Sequence, residues 1–424
     1  MVVIVGAGVA GVATAYYLSV SSGKTPITLL DAAGPAACSS GKAGAFITNR
    51  PPSFRRGIGK GNNVDDKRRF LFEKSFELHE ELAKDLSLES FCRVHNYRTI
   101  QTKETNADDK NDISFDDPED TLHSWLTSLG ENEGAKPLSG AAALLDPAEL
   151  TNAMLEKVLS QGNCCFRQAN ISGLELDSSG RFIKGIQLEN SEDGSESKPI
   201  VIEEDEAVVI ALGPWSCRIE DWLGIPMPIE GVLSTSLIYQ DGIPASDSGT
   251  AFFFDEDSNG CHLEVFGRKD RSLYVSGCGE SQVIGTRCLR STERPSPNVD
   301  CPPDATRASA ARASLEKAGY DHRYSTDISE GNPQPDTTQA CLRPMTPDNV
   351  PIVGKLLDNA YIATGGGPWG ITWGPLMGQS LASLINDDGD PPIRLGLLSH
   401  KRFDTLVYRT LLKSRSFPGV SATT

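Results

Sequence analysis

The first thirty-one residues constrain this chain most, because a glycine-rich turn lies there between two apolar runs. The run 2–5 leads directly into the pattern G-x-G-x-x-G at residues 6–11, and a helical pattern of small residues follows over 12–20. A second apolar run, 27–30, ends at Asp31, about twenty residues past the glycines. Strand, glycine turn, helix, strand and acid in this order are typical of a dinucleotide-binding unit. A glycine turn that only closes a hairpin is the weaker interpretation, since all five parts agree.

The residues of this turn have separate physical roles. Gly6 permits the tight turn, Gly8 lets the backbone approach a pyrophosphate, and Gly11 lets the helix pack closely on the strand. The helix offers unpaired N–H groups and a partial positive charge to phosphate oxygens. Asp31 is placed to accept hydrogen bonds from ribose hydroxyls. The residues predicted to bind this end of a cofactor are Gly6, Ala7, Gly8, Val9, Ala10, Gly11, Asp31 and Ala32.

Length, charge and cysteine usage limit the remaining possibilities. A chain of 424 residues suggests two or three domains' worth of sequence. A net charge of −17 disfavours nucleic acid and anionic membranes as partners. No run of eighteen apolar residues predicts a transmembrane helix, and a strand beginning at Val2 leaves no room for a signal peptide. The ten cysteines form no C-x-x-C pair and no zinc pattern, so we expect reduced thiols, a cytoplasmic location and no metal.

The middle of the chain alternates between helical and β-type patterns. A small, glycine-rich stretch over 32–45 reads as a loop, and residues 65–87 form an amphipathic helical pattern. Its predicted apolar stripe is Phe70, Phe72, Phe76, Leu78, Leu82 and Leu86. Asp146 followed by Pro147 predicts the beginning of a helix that ends near residue 160. The acidic stretch 105–120 is interpreted as a surface insertion.

Two later strands also end in glycine. The apolar run 207–211 ends at Gly213, and the run 360–364 leads into the glycines at 365–370 and a helix over 371–385. A strand that ends in glycine before a helix N-terminus accepts an anion or a ligand dipole. The alternating patterns over 224–239 and 260–277 instead predict antiparallel strands of a second domain.

Four blocks in this order resemble one known family. They are the glycine turn with Asp31, the block Ser39–Gly44, the block Val208–Trp215, and the stretch from Leu342 to Ile371. Together they resemble the FAD-dependent D-amino-acid oxidase superfamily, which includes glycine, sarcosine and D-amino-acid oxidases. The closest resemblance is to a fungal and plant branch of eukaryotic FAD-dependent oxidoreductases. No tyrosine can be matched to the active-site tyrosines of the well-studied oxidases.

The resemblance implies an α/β fold with a Rossmann-like FAD-binding domain and a second domain of α+β type. The FAD-binding domain would be assembled from residues 1–50, 145–215 and 340–395. The substrate domain would take 51–144 and 216–339 around a mixed, largely antiparallel sheet. Residues 396–424 would form a C-terminal tail.

The resemblance also implies site residues. Ser39 and the backbone of 43–44 would lie along the flavin, the backbone of Ile171 beside the adenine, and residues 366–372 along the isoalloxazine. Arg343 would clamp a substrate carboxylate, and an arginine in a structural ion pair is the alternative. Lys42 is a second catalytic candidate, because it lies between small residues in the cofactor loop, and a solvated surface lysine is the alternative. The further cofactor-binding residues are Ser39, Ser40, Gly41, Lys42, Ala43, Gly44, Ile171, Ala211, Leu212, Gly213, Trp215, Gly366, Gly367, Pro368, Trp369, Gly370, Ile371 and Thr372.

Attachment of the flavin has two interpretations. Cys341, Thr346 and Asp348 reproduce the spacing around a cysteine that is joined covalently to the flavin in sarcosine- and pipecolate-oxidase-like relatives. The Arg-Pro pair at 343–344 instead follows relatives that hold FAD without a covalent bond. We expect dissociable FAD, and the covalent link to Cys341 is the alternative.

Three functions therefore compete. The first is an FAD-dependent oxidoreductase that oxidises the C–N bond of a small amine or amino acid. The second is a flavin-bound regulatory or trafficking protein with little turnover. The third is a NAD-dependent dehydrogenase, which is the weakest because one nucleotide motif does not explain the turn at 365–370. The sequence names neither the substrate nor the electron acceptor.

Overall fold

The computed structural model describes residues 1–22, 25–50, 64–100, 135–138, 140–189, 197–291, 301–320, 334–386 and 391–403. The acidic stretch 105–120 lies outside these ranges, as does most of the predicted tail. The helices are α1 Val9–Ser22, α2 Ser39–Lys42, α3 Val64–Asp85, α4 Pro147–Ser160, α5 Ile219–Leu223, α6 Thr286–Arg290, α7 Ala305–Lys317 and α8 Gly370–Asn386. The strands are β1 Val2–Val5, β2 Ile27–Asp31, β3 Phe46–Thr48, β4 Cys92–Arg93, β5 Asn96–Ile100, β6 Ala135–Pro137, β7 Ala142–Leu144, β8 Cys164–Gln168, β9 Ile171–Leu176, β10 Ile183–Leu188, β11 Ile200–Val201, β12 Ala207–Ile210, β13 Glu230–Tyr239, β14 Thr250–Phe254, β15 Glu264–Gly267, β16 Leu273–Ser276, β17 Gln282–Ile284, β18 Thr337–Met345, β19 Ile352–Lys355 and β20 Ala360–Thr364.

Six strands of the described ranges form the first sheet, in the order β19-β20-β12-β1-β2-β8. β1 pairs in parallel with both β2 and β12, and only the edge strand β19 runs antiparallel to its neighbour. The side chains of β1 and β20 are buried along their whole length, which is the reason both strands read as continuous apolar runs. This sheet confirms the predicted α/β class.

Helices α1 and α8 pack closely on one another beside the first sheet. A Cβ atom at Gly378 would lie 2.6 Å from the backbone carbon of Ala13, and one at Gly374 would lie 2.7 Å from Val9. Side chains at either glycine would therefore separate the two helices. Because α1 follows the first glycine turn and α8 follows the second, their close packing brings the two turns together.

The amphipathic helix α3 covers α8 on its outer side. Its apolar stripe is buried as predicted at Phe72, Phe76 and Leu82. The prediction for Phe70 was wrong, because its side chain is 41% exposed on the solvent face of the helix. The buried imidazole of His79 lies 3.0 Å from the carbonyl oxygen of Ile371, measured from its Nε2.

That contact satisfies a carbonyl that α8 leaves without its usual partner. The oxygen of Ile371 would normally accept from the N–H four residues later, but Pro375 occupies that position and has no N–H. The Nε2–H of His79 donates there and to the neighbouring Thr372 oxygen, 3.1 Å away. His79 thus holds the first turn of α8.

The second sheet contains eight strands of the described residues and is largely antiparallel, as predicted. β13 pairs with β18 along most of its length and with β16 and β17 at its two ends. β14 and β5 form the one parallel pair in this part of the structure. The strand β18 crosses the predicted domain boundary at residue 340, and the division into domains stays a prediction.

Candidate functional site

A cavity of about 260 Å³ lies where the two sheets meet. One side of its wall comes from the carboxyl ends of β1, β12 and β20, at Gly6, Leu212 and Thr364. The other side comes from the face of the second sheet, including Ser234 and Tyr274. Ligands of parallel α/β sheets bind at the carboxyl ends of the strands, so this cavity is the candidate site.

The first glycine turn leaves no room for side chains. A Cβ atom at Gly6 would lie 2.2 Å from the carbonyl oxygen of Ala211, and one at Gly11 would lie 1.9 Å from the Gly6 oxygen. Gly6 also has a φ of +109°, which residues with a Cβ rarely adopt. Helix α1 begins at Val9, earlier than the predicted residue 12, and its first N–H donates to Ser40 Oγ at 2.9 Å.

The carboxylate of Asp31 orders the backbone around that turn. Its Oδ2 accepts the N–H of Ala7 at 2.7 Å, and its Oδ1 accepts those of Ala33 and Gly34 at 2.8 and 2.9 Å. A carboxylate has about four acceptor positions, so roughly one is left for a ligand. Asp31 and Ala32 both line the cavity.

The loop after α2 is fixed by side chains of the second sheet. The carbonyl oxygen of Lys42 accepts from Tyr274 Oη at 3.2 Å and from Gln339 Nε2 at 3.0 Å. Arg268 Nη2 donates to the carbonyl of Ala43 at 3.0 Å. In a trans peptide the C=O and the following N–H point in opposite directions. The N–H groups of residues 43 and 44 therefore point away from these three side chains.

The second glycine turn brings a second helix N-terminus to the same cavity. Gly365 and Gly367 have φ of +75° and +56°, and α8 begins at Gly370. Residues 366–372 all line the cavity. The N-termini of α1 and α8 thus both face it, each with a partial positive charge that favours an anionic or electron-rich ligand.

Strand β18 presents a thiol and a guanidinium on the same wall. Cys341 and Arg343 line the cavity, whereas Leu342 between them faces the apolar core. The Nε of Arg343 is buried and has no hydrogen-bond partner among the described residues. Burial raises the pKa of the Cys341 thiol, while the charges of Arg343 and Lys42 act to lower it.

Most residues predicted from the sequence line this cavity. From the N-terminal half these are Gly6, Gly8, Val9, Ala10, Asp31, Ala32, Ser39, Ser40, Ala43, Gly44 and Ile171. From residue 211 onward they are Ala211, Leu212, Gly213, Trp215, Arg343 and the whole run 366–372. Ala7, Gly11, Gly41 and Lys42 are not among the lining residues. A Cβ at Gly41 would lie 2.2 Å from the Ala36 oxygen, so this glycine is required by close packing behind the wall.

Other lining residues were not singled out from the sequence. Tyr274 and Glu264 project from β16 and β15, and Asn170, Arg218 and Trp222 also line the cavity. No short motif marks these positions. For Glu264 and Tyr274 the only signal in the sequence was the alternating pattern over 262–266 and 273–275. That pattern predicted strands, but it did not indicate which face of each strand lines a cavity.

The described residues contain neither a metal-type cluster of side chains nor a membrane-spanning helix. No group of three or more His, Cys, Asp or Glu side chains there is arranged to hold a metal ion. Among the helices of the described ranges, none has both the length and the apolar character needed to cross a membrane.

Known proteins resemble this chain along nearly its whole length. A Schizosaccharomyces pombe protein, named as an oxidoreductase without a substrate, is 26% identical, with 94% of this chain and 97% of the relative covered. The fold matches L-proline dehydrogenase from P. horikoshii with a TM-score of 0.65 and 19% identity, covering 95% of this chain and 97% of that one. It also matches glycine oxidase from Geobacillus kaustophilus with a TM-score of 0.64 and 18% identity, covering 95% and 98%.

The family is shown by a direct match of the sequence. The family model described as FAD dependent oxidoreductase matches residues 1–384. This range contains both glycine turns, the loop after α2 and strand β18. The chain therefore belongs to the D-amino-acid oxidase family of FAD-dependent oxidoreductases.

Proposed function

We propose that this protein oxidises the C–N bond of an amino acid or a closely related amine, with FAD held in the cavity between the two sheets. The fit of FAD rests on two features of this chain. Two helix N-termini face one cavity, and the glycines at its turns leave space that any Cβ atom would fill. This arrangement suits a long ligand with a pyrophosphate and an electron-rich ring.

Specific residues are proposed to hold each part of the cofactor. Asp31 and the backbone near Ile171 would hold the adenosine end, and the N-terminus of α1 with the Ser40 hydroxyl would hold the pyrophosphate. The N–H groups of residues 43 and 44 and the first turn of α8 would lie along the ring system. We propose non-covalent binding, because a buried thiol with a raised pKa is a poor nucleophile.

The chemistry divides between cofactor and protein. Bound FAD supplies an acceptor for a hydride from the carbon beside the amine. The N-terminus of α8, with its partial positive charge, would favour negative charge on a ring held beside it. Arg268 contributes indirectly, because its hydrogen bond to the carbonyl of Ala43 orients the N–H groups of the loop. Arg343 orients the substrate.

One observation carries the choice of an amino acid as substrate. The buried Nε of Arg343 has no partner among the described residues, and its side chain lines the cavity. An unpaired buried donor is costly, and a guanidinium matches a carboxylate better than any other side chain does. The names of the structural neighbours, which include proline, glycine and L-amino acid enzymes, agree with this proposal.

A panel of D- and L-amino acids and simple amines tests the proposal. Anaerobic bleaching of the flavin absorbance detects turnover, and oxygen uptake then separates an oxidase from a dehydrogenase. Arg343→Lys keeps the charge but loses the planar fork. It should raise KM for carboxylate substrates about tenfold or more relative to plain amines. Equal effects on both classes contradict the role of Arg343. A flavin that no compound bleaches favours the regulatory alternative.

A further inference from the structure

The cavity wall contains an acidic side chain to which the proposed reaction assigns no role. Glu264 projects from β15 and lines the cavity on the second sheet. Its Oε2 accepts a hydrogen bond from the hydroxyl of Ser276 at 3.3 Å. Glu264 and Arg343 therefore place opposite charges on the same wall.

The register of the second sheet gives the separation of these two residues. Arg343 pairs with Val232 on β13, and Glu264 pairs with Ser276 on β16. Since β13 and β16 are neighbours, Glu264 lies three strands across and four residues along from Arg343. With about 4.8 Å between strands and about 3.4 Å per residue, the two Cα atoms are on the order of 20 Å apart on the diagonal.

Short side chains project into the cavity between the two charged residues. Ser234, Ser276 and Cys341 line the cavity there, and all three have short side chains. We call Arg343, Cys341, Ser234, Ser276 and Glu264 the trough. Small residues along its floor leave space above the sheet for a ligand that extends from one charge to the other.

The length of the trough excludes one partner for Glu264 and favours another. The carboxylate and α-amine of an amino acid are within about 4 Å of each other, too close for Arg343 and Glu264 to hold both. An extended lysine places its terminal nitrogen roughly 7 Å from its carboxylate. With a hydrogen bond of about 3 Å at each end, the bound lysine would span roughly 13 Å between the guanidinium of Arg343 and the carboxylate of Glu264. This is shorter than the separation of their Cα atoms, and side chains inclined toward each other make up the difference.

We propose that the site selects amino acids whose side chain ends in a cation, with Arg343 on the α-carboxylate and Glu264 on the terminal ammonium or guanidinium. This inference rests on the proposed function for the reaction itself. The selectivity for a cation is a property of binding, so it can be measured without turnover.

Binding of two matched acids provides the first test. Calorimetry on the FAD-containing protein compares 6-aminohexanoate with hexanoate, which lacks the terminal ammonium. We expect 6-aminohexanoate to bind about 10- to 100-fold more tightly, as a charge-assisted hydrogen bond gives. Glu264→Gln should remove this preference, while Glu204→Gln, at an exposed carboxylate, should keep it. Equal affinities in the parent, or a preference that survives in Glu264→Gln, overturns the proposal.

Turnover provides the second test and separates the two proposals. The ratio of kcat/KM for lysine to that for norleucine, measured for both enantiomers, should fall at least tenfold in Glu264→Gln. A ratio that does not change, with both compounds oxidised, overturns the cation selectivity and leaves the proposed function standing. Cation-dependent binding without oxidation of any amino acid keeps the selectivity and refutes the proposed function.

Discussion

Acid should destabilise this protein through one buried imidazole, that of His79. Its side chain is almost fully buried between α3 and α8, and burial lowers its pKa to about 4. The hydrogen bonds to the carbonyl oxygens of Thr372 and Ile371 raise the pKa, but by less than burial lowers it. Pro375 has no N–H to donate to the carbonyl of Ile371 in the first turn of α8, and the neutral ring of His79 supplies that hydrogen bond.

The magnitude follows from the difference between the folded and unfolded chains. The unfolded chain binds this proton with a pKa of about 6.5, and the folded chain with a pKa of about 4. Between these values the unfolded state holds more protons, so the free energy of unfolding falls as the pH falls. Linkage gives a loss of about 2 kcal/mol between pH 7.5 and pH 5, and about 3 kcal/mol once the pH is below 4.

Urea unfolding of the FAD-containing protein at pH 7.5 and pH 5 measures this loss. His79→Gln provides the comparison, since its amide can donate to the same carbonyls but does not titrate. The variant should lose about 2 kcal/mol less than the parent over that interval. If the parent and His79→Gln lose the same free energy, the acid sensitivity has another source.

Three further predictions concern the cofactor. Asp31→Ala should lower FAD occupancy after dialysis, because it removes the acceptor of three N–H groups at the nucleotide end; full occupancy would refute the ribose role. Lys42→Met should keep FAD bound but slow flavin reduction or reoxidation about twofold to tenfold, since its charge reaches Cys341 in the wall; unchanged stopped-flow rates in both half-reactions would place it outside the chemistry. After acid precipitation the yellow colour should stay in the supernatant, and Cys341→Ser should keep its FAD; a coloured pellet that becomes colourless in the variant would show a covalent link.

Local patterns in the sequence predicted the parts of the site that are built from consecutive residues. The glycine turn needs only a strand, three glycines and a helix within about ten residues of each other. One continuous segment therefore determines its geometry. The helix beginning at Asp146 is similar, and its carboxylate does accept the N–H groups of Ala148 and Glu149. The resemblance supplied the order of the distant segments.

The parts that depend on strand register were not predictable in the same way. Glu264 and Tyr274 reach the cavity because β15 and β16 pair in one register, and a slip by one residue would turn both away. The role of His79 depends on a proline almost three hundred residues later in the chain. Phe70 was misassigned because an amphipathic pattern does not fix the edge of its apolar face.

The first sheet joins the two ends of the described chain, which has a consequence for how the protein is made. β1 lies between β2, which follows it closely in the chain, and β12, whose other neighbour β20 ends only at Thr364. At ribosomal rates of about 5–20 residues per second, roughly 20 to 70 seconds separate the synthesis of β1 from that of β20. During that interval the apolar edge of the nascent sheet lacks its final neighbours, and the second helix N-terminus does not yet exist. Tight capture of the cofactor therefore has to wait until β20 and α8 are synthesised, and chaperones that shield unpaired strands have their longest opportunity to act on the earlier strands of this sheet.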